Sequence, residues 1–327
     1  MMQPDPETPA PLLILCPPRS FSSVVCAMLG QHPEMYGFPE LRLFVADTVE
    51  ELLEHAEGQK ANLGLTKPFP PGLLRALAEL HYGGQSAEAV ARAEAWLLSR
   101  RGWSVRQVFD SLLERVRPRV GVDKSPLTAM STDCMRRALR LYPAARFLHL
   151  TRHPVATQRS MQTHWQARFQ KLHAEWDGCT FANHCARLWY ATHRGILDFT
   201  RRLSPDQVHQ VRGEDLLSEP DRYLAGIASW LGARTDPAAV EAMKHPERSP
   251  YAGIGPESAR AGNDPKFLQD PRLRPATTLV SPEAPPDWGL EPHLQEAISE
   301  LATQLRYAES EDKDPAALPP VTSETGS

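Results

Sequence analysis

Basic and hydroxyl-bearing residues gather at three places in the chain, each just after a short apolar run. Arg19 and Ser20, with Ser22 and Ser23 close behind, follow the run from Leu12 to Cys16. Asp123, Lys124 and Ser125 follow Arg119 to Val122, and Arg152 and His153 follow Phe147 to Leu150. Guanidinium and ammonium groups carry fixed positive charge and serines add hydroxyl donors, so these side chains, once brought together, would hold an anion. The first cluster adds a second device. Pro17-Pro18-Arg19-Ser20 is a turn between a strand-like run and a helix start, an arrangement that aims free backbone N–H groups and the positive end of the helix dipole at whatever the turn holds. It is not a Walker A loop, because GxxxxGK[ST] is absent and the turn contains no glycine. Its chemistry reads as phosphate binding.

The elements that must position these groups follow from the apolar pattern. Leu12 to Cys16 has the length of a buried strand and is too short for a core helix. Val24, Val25, Cys26, Met28 and Leu29 predict a short helix that Gly30 closes from a C-cap position. Residues about 45–116 carry four apolar stripes at helical spacing, through Leu52, Leu74, Val90 and Phe109 among others, and form a helical insert or lid. Arg119 to Val122 is a second strand, Phe147 to Leu150 a third and Val208 to Val211 a fourth. Between them, Thr132-Asp133 start a helix that Pro143 stops, and Pro154 opens another. Further helices are expected over 181–203 and about 292–307, with 246–287 mostly loop. Strands alternating with helices predict an α/β fold, a central parallel sheet flanked by helices. In such a sheet the C-terminal strand ends share one edge, the edge where ligands bind. All three clusters would meet there.

Bulk properties narrow the class. The chain has 327 residues, 23% charged and 41% hydrophobic, with a formal charge of −4, which suits a globular protein and argues against nonspecific nucleic-acid binding. Residues 1–10 read as a disordered lead-in, 11–308 as a single domain, and 309–327 as a disordered tail. The N-terminus carries acids and prolines rather than a basic n-region, and its apolar run is too short for a signal or a membrane span, so a cytoplasmic location is expected. Five cysteines, odd in number and without CxxC pairing, form neither a disulfide framework nor a zinc site. No metal is expected.

Over roughly 12–270 the chain resembles the sulfotransferases that use 3′-phosphoadenosine-5′-phosphosulfate (PAPS). Their phosphosulfate loop, P-[KR]-S-G-[ST]-[ST], is similar to Pro18-Arg19-Ser20-Phe21-Ser22-Ser23. Their 3′-phosphate motif, an Arg with a Ser eight residues on, is matched by Arg152 and Ser160. The glycosaminoglycan-type branch has a Glu in an E-x-H-F-F-like segment and an EK[ST]P segment; Glu40 in PELRLF and Asp123-Lys124-Ser125-Pro126 stand there. GEDLLSEP, 213–220, resembles the YEDL segment. The helical block followed by DKSP is similar to sulfotransferase domains of modular polyketide synthases.

The resemblance implies a P-loop-like sulfotransferase fold, PAPS as cofactor and 3′-phosphoadenosine-5′-phosphate (PAP) as product. Pro18, Arg19, Ser20, Phe21, Ser22 and Ser23 would hold the phosphosulfate, and Arg152 and Ser160 the 3′-phosphate, with Arg260 and Lys266 closing over the phosphate or the adenine. Arg19 and Lys124 would stabilise the transferring group, with Glu40 as general base on an acceptor hydroxyl. Arg42, His153, Trp165 and Phe169 would touch the acceptor, a secondary-metabolite or carrier-tethered β-hydroxyacyl alcohol. No nucleic acid or membrane partner is implied, and the chain would act as a monomer or homodimer. Two departures stand out. Phe21 replaces the loop glycine, so the loop either avoids positive φ or strains to reach it. Arg42 stands where the family often has His, which leaves His149, His153, His164 and His173 as rival bases. Alternative readings are a P-loop-like small-molecule kinase, with Asp123 as its metal-binding acid, and a nucleotide-binding protein without catalysis.

Overall fold

Alternate residues of the first strand enter different halves of the core. Leu13 and Leu15 join one apolar cluster, Leu12, Ile14 and Cys16 the other, and all five are at most 2% exposed. That is the signature of a strand buried on both faces. The computed structural model describes residues 9–63, 69–172, 177–276, 281 and 283–307. Among these, β1 (Leu12–Leu15), β2 (Met35–Gly37), β3 (Val120–Asp123), β4 (Arg146–Thr151) and β5 (Val208–Arg212) form one sheet in the order β2-β3-β1-β4-β5. Every pairing is parallel, with Leu13 opposite both Asp123 of β3 and Phe147 of β4. The parallel sheet expected from the sequence is the observed one, with β2 as an addition.

Helices cover both faces. α1 (Ser22–Leu29) follows β1, and α2 (Val49–Leu63), α3 (Pro71–Tyr82), α4 (Ala87–Leu98) and α5 (Val105–Val116) together make the crossover from β2 to β3. The helical block is therefore the connection between two paired strands. α6 (Pro126–Ala129) and α7 (Thr132–Leu141) lead to β4, then α8 (Pro154–Leu172) and α9 (Gly178–Thr200) to β5. After β5 come α10 (Gly213–Ser218), α11 (Pro220–Trp230), α12 (Pro237–Met243), α13 (Pro265–Gln269) and α14 (Pro292–Gln304). Apolar residues of α3, α4, α5 and α7 pack on the face that carries Leu13; those of α1, α11 and α12 pack on the face that carries Leu12. No described helix is long and apolar enough to cross a membrane.

Gly30 stands at the C-cap of α1, as expected, but with φ −66° rather than a left-handed backbone. A Cβ there would lie 2.5 Å from the backbone nitrogen of Gly37, and it is this close approach of α1 to β2 that requires glycine.

Candidate active site

β3, β1 and β4 are neighbours, so the loops that leave them stand side by side at one edge of the sheet. Their polar clusters meet there, with the segment after β2 on one flank. A cleft of about 1340 Å³ opens over this edge, walled by the β1 loop, Glu40 and Arg42, α6, α8 and the 260–276 segment. Eight arginine and lysine side chains line it against three carboxylates, although the chain as a whole is negative. Cations concentrated in a concave, low-dielectric wall make an anion site.

Glu40 lines the cleft, and Lys124 lies sealed behind it, outside the cleft lining. The Lys124 side chain has no solvent exposure; its Nζ donates to Ser23 Oγ at 2.8 Å and to Glu40 Oε1 at 3.1 Å. Arg42 grips the other carboxylate oxygen, donating from Nη2 at 2.6 Å and from Nε at 3.1 Å. Burial opposes the charge on Glu40, but the Lys124 and Arg42 cations outweigh it and hold the carboxyl down at about 2. Asp123, which precedes Lys124, turns away from the cleft. Its Oδ1 accepts from the Ser125 hydroxyl at 3.1 Å and lies 3.5 Å from the Leu41 N–H, while Ser125 Oγ accepts from the Arg42 N–H at 2.9 Å. Burial pushes Asp123 up to about 7, and it serves to tie the Glu40 segment to β3. Facing inward, it is poorly placed for the metal-binding role that a kinase would need.

The β1 loop takes the strained alternative. Arg19 has φ 68° and Phe21 φ 63°, both in the left-handed region that residues with a side chain rarely visit. Phe21 is the residue before α1 and offers no side-chain cap. Ser23 Oγ accepts from Lys124 and from the Asp264 N–H at 2.9 Å. Arg19 Nε donates to Ser160 Oγ at 3.2 Å, and Arg19 Nη1 pairs with Asp264. The β1 loop, α8 and the 260–266 segment thus meet on one guanidinium.

Arg152 sits on the neighbouring side. Its Nη1 donates to the Arg19 carbonyl at 2.5 Å, and its guanidinium carbon lies 4.2 Å from the Phe21 ring centroid. Its own carbonyl accepts from the buried Trp189 indole at 3.0 Å. The next residue is held too. The His153 N–H donates to Glu214 Oε1, while the Tyr307 hydroxyl donates to Glu214 Oε2, each at 2.9 Å. Sequence reasoning did not single out Trp189, Glu214, Tyr307 or Asp264 for these positions. The isolated GED motif carries no mark of its partner 93 residues away.

Arg260, Lys266 and Trp165 line the cleft, as do Pro18 to Ser23, Glu40, Arg42, Arg152 and Ser160. His153 does not: it is buried edge-on to Tyr307, 5.5 Å between ring centroids, with its backbone N–H held by Glu214. His149 is buried too, against His193 of α9. The Phe169 side chain and His173 lie outside the described residues. Two imidazoles do reach the cleft, His164 and His184, and the second was not expected. Leu127, Met130, Trp165 and Leu188 add apolar side chains to the lining. Such a cleft can hold a polyanion at the β1 loop and an apolar molecule beside Glu40.

A family model described as "Sulfotransferase family" matches residues 11–237. Among solved structures, the sulfotransferase domain from the curacin biosynthetic pathway is similar at 25% identity and a TM-score of 0.69, covering 91% of this chain and 98% of that one. The sulfotransferase domain of the Synechococcus PCC 7002 olefin synthase has 27% identity and a TM-score of 0.66, with 94% and 98% covered. A Mycobacterium avium sulfotransferase, STF9, shares the fold at 14% identity and a TM-score of 0.51, with 91% and 77% covered. No curated protein matches the chain.

Proposed function

Taking as premise that the chain belongs to the sulfotransferase family, we propose that it moves a sulfuryl group from PAPS to the hydroxyl of an apolar acceptor. The observation that carries this is Lys124, whose one ammonium touches both Ser23, in the first turn of α1 just past the β1 loop, and the carboxylate of Glu40. Donor-binding loop and acceptor-side acid are joined through a single charge.

The residues fit the cofactor. Ser20 Oγ and Arg152 Nε are buried and have no hydrogen-bond partner among the described residues. Leaving buried polar groups unpaired costs about 1–3 kcal/mol each, and phosphate or sulfate oxygens would satisfy both. Ser20, Ser22, Ser23 and Arg19 would hold the phosphosulfate, Arg152 and Ser160 the 3′-phosphate, and Arg260 and Lys266 would close from the 260–266 segment. When bound, PAPS supplies the sulfuryl group and a leaving phosphate; the protein's part is positioning and charge stabilisation.

Glu40 would take the acceptor's proton. Pinned at about 2 it is ionised but weakly basic. Lys124 can relieve this. As its ammonium leans towards negative charge growing at the β1 loop, Glu40 loses a partner and becomes more basic when the proton must move. Leu127, Met130, Trp165 and Leu188 would face the acceptor's chain. Similarity to the curacin and olefin synthase domains supports a secondary-metabolite alcohol or a carrier-tethered β-hydroxyacyl group. Five free cysteines, four of them buried, support a cytoplasmic setting.

A thermal-shift titration with PAP beside ATP and AMP tests the cofactor. A ligand that binds only the native state stabilises by about 2.7 kcal/mol at a hundred times its Kd. Stabilisation by PAP with little from ATP is expected. Stabilisation by ATP alone would move the reading to a kinase, and none by PAP would end it.

A further inference from the structure

We propose that Phe21, the residue that stands in place of the loop glycine, is a positioning residue that presets Arg152 for the 3′-phosphate. This rests on the reading of Arg152 just given.

The backbone at Phe21 has φ 63° and ψ 4°, a conformation glycine adopts freely and a bulky side chain does not. Outliers of this kind persist only where their surroundings over-determine them, and they point to function. The surroundings here are built for the ring. A Cβ on Gly213, the first residue after β5, would lie 2.5 Å from one Phe21 ring carbon and 3.3 Å from another. Gly213 thus leaves the slot that the ring fills, next to the Thr151 carbonyl at the end of β4. The ring then carries Arg152, whose guanidinium carbon is 4.2 Å from its centroid.

Arg152 is thereby fixed from three directions. The Phe21 ring supports its plane, the Arg19 carbonyl takes one Nη, and the Trp189 indole holds its backbone carbonyl. Its Nε has no hydrogen-bond partner among the described residues. A guanidinium pinned on its plane with a donor to spare is pre-organised for an oxyanion, because the ordering cost is met before the ligand arrives. A glycine loop would hold the 5′-side equally well but leave this arginine without its platform. The strained Phe21 therefore acts on recognition of the 3′-phosphate and not on the phosphosulfate itself.

PAP and AMP differ only in the 3′-phosphate, so the ratio of their affinities reads this effect. Phe21→Leu keeps apolar volume and removes the ring face; Phe21→Tyr keeps the ring. Phe21→Asn suits the left-handed backbone, and Gly213→Ala pushes the ring from its slot without touching the loop. Measured by calorimetric or thermal-shift titration, Phe21→Leu, Phe21→Asn and Gly213→Ala should each lower the AMP-to-PAP Kd ratio by roughly three- to thirtyfold, the range expected for a cation–π contact. AMP affinity should fall by less than PAP affinity, because only PAP carries the 3′-phosphate, and Phe21→Tyr should keep the wild-type ratio. Equal weakening of PAP and AMP would mean that Phe21 only shapes the loop, and an unchanged ratio in all three variants would remove its role. Should the wild-type protein itself fail to prefer PAP over AMP, the assignment of Arg152 would fall instead.

Discussion

The Lys124 ammonium, sealed from solvent, donates to Glu40 Oε1 at 3.1 Å across the join between β3 and the segment after β2. Removing one member of a buried ion pair costs about 3–5 kcal/mol because the other is left uncompensated. Glu40 keeps Arg42, so Lys124→Met should fall at or below the lower end, about 3 kcal/mol by denaturant unfolding. Turnover should drop by far more than PAP affinity. Full activity in this variant would show that no charge is needed between Ser23 and Glu40.

The pH profile separates Glu40 from a histidine base. A carboxyl lowered to about 2 stays ionised at every pH above that value, so Glu40 contributes no loss of kcat/KM between pH 8 and pH 5. An imidazole base, with an unperturbed pKa of about 6.5, produces an acid limb there. His164 and His184 both line the cleft and are the two imidazoles to test. We expect a flat profile down to pH 5, and near-complete loss of turnover with retained PAP binding in Glu40→Gln. An acid limb that vanishes in His164→Gln or His184→Gln would transfer the role.

Stability should be acid-sensitive through a different pair. His149 Nε2 and His193 Nδ1 lie 2.9 Å apart, fully buried between β4 and α9. Burial lowers His149 to about 3 and His193 well below its ordinary range. Because the unfolded chain takes up these protons near pH 6.5 and the folded chain does not, stability is fully present above pH 6.5. It is lost progressively as pH falls towards 3. Urea midpoints at pH 7.5 and pH 5 should differ, and the difference should shrink in a His149→Val, His193→Leu double variant. An undiminished difference would assign the acid sensitivity to other groups.

What the sequence made legible was local. β1, β3 and β4 are apolar runs with polar ends, and the four helices between β2 and β3 carry regular stripes, so sheet class and the meeting of three clusters follow from pattern alone. β2 was not legible, because Met35-Tyr36-Gly37 is three residues long and lies close to prolines on both sides. α11 and α12 follow the fourth expected strand without having been anticipated. Within the site, Arg19, Glu40, Lys124 and Arg152 carried motif signals. Their partners did not: Asp264 is 245 residues from Arg19, and a contact at that range has no local signature. Phe21 posed a choice of two backbones, and only the packing of its ring against Gly213 decides between them.

Gly72 links the helical crossover to the chemistry. It is the second residue of α3, its backbone pressed on that of Glu40, so that an added Cβ would overlap the Glu40 carbonyl; the Glu40 N–H in turn donates to the Gly262 carbonyl at 2.9 Å. Gly262, at φ 86°, closes the triangle, since a Cβ there would lie 2.8 Å from Gly72 Cα. Three backbones in contact leave no room to yield, so Gly72→Ala must push Glu40, whereas Gly262→Ala must strain the segment that carries Arg260 and Lys266. Misplacing a reacting group by about 1 Å costs on the order of a hundredfold in rate. Gly72→Ala should therefore lower kcat by roughly ten- to a hundredfold with little change in KM for PAPS, and Gly262→Ala should raise that KM. Steady-state kinetics on both variants checks this. A wild-type kcat in Gly72→Ala would mean that the crossover helices do not set the position of Glu40.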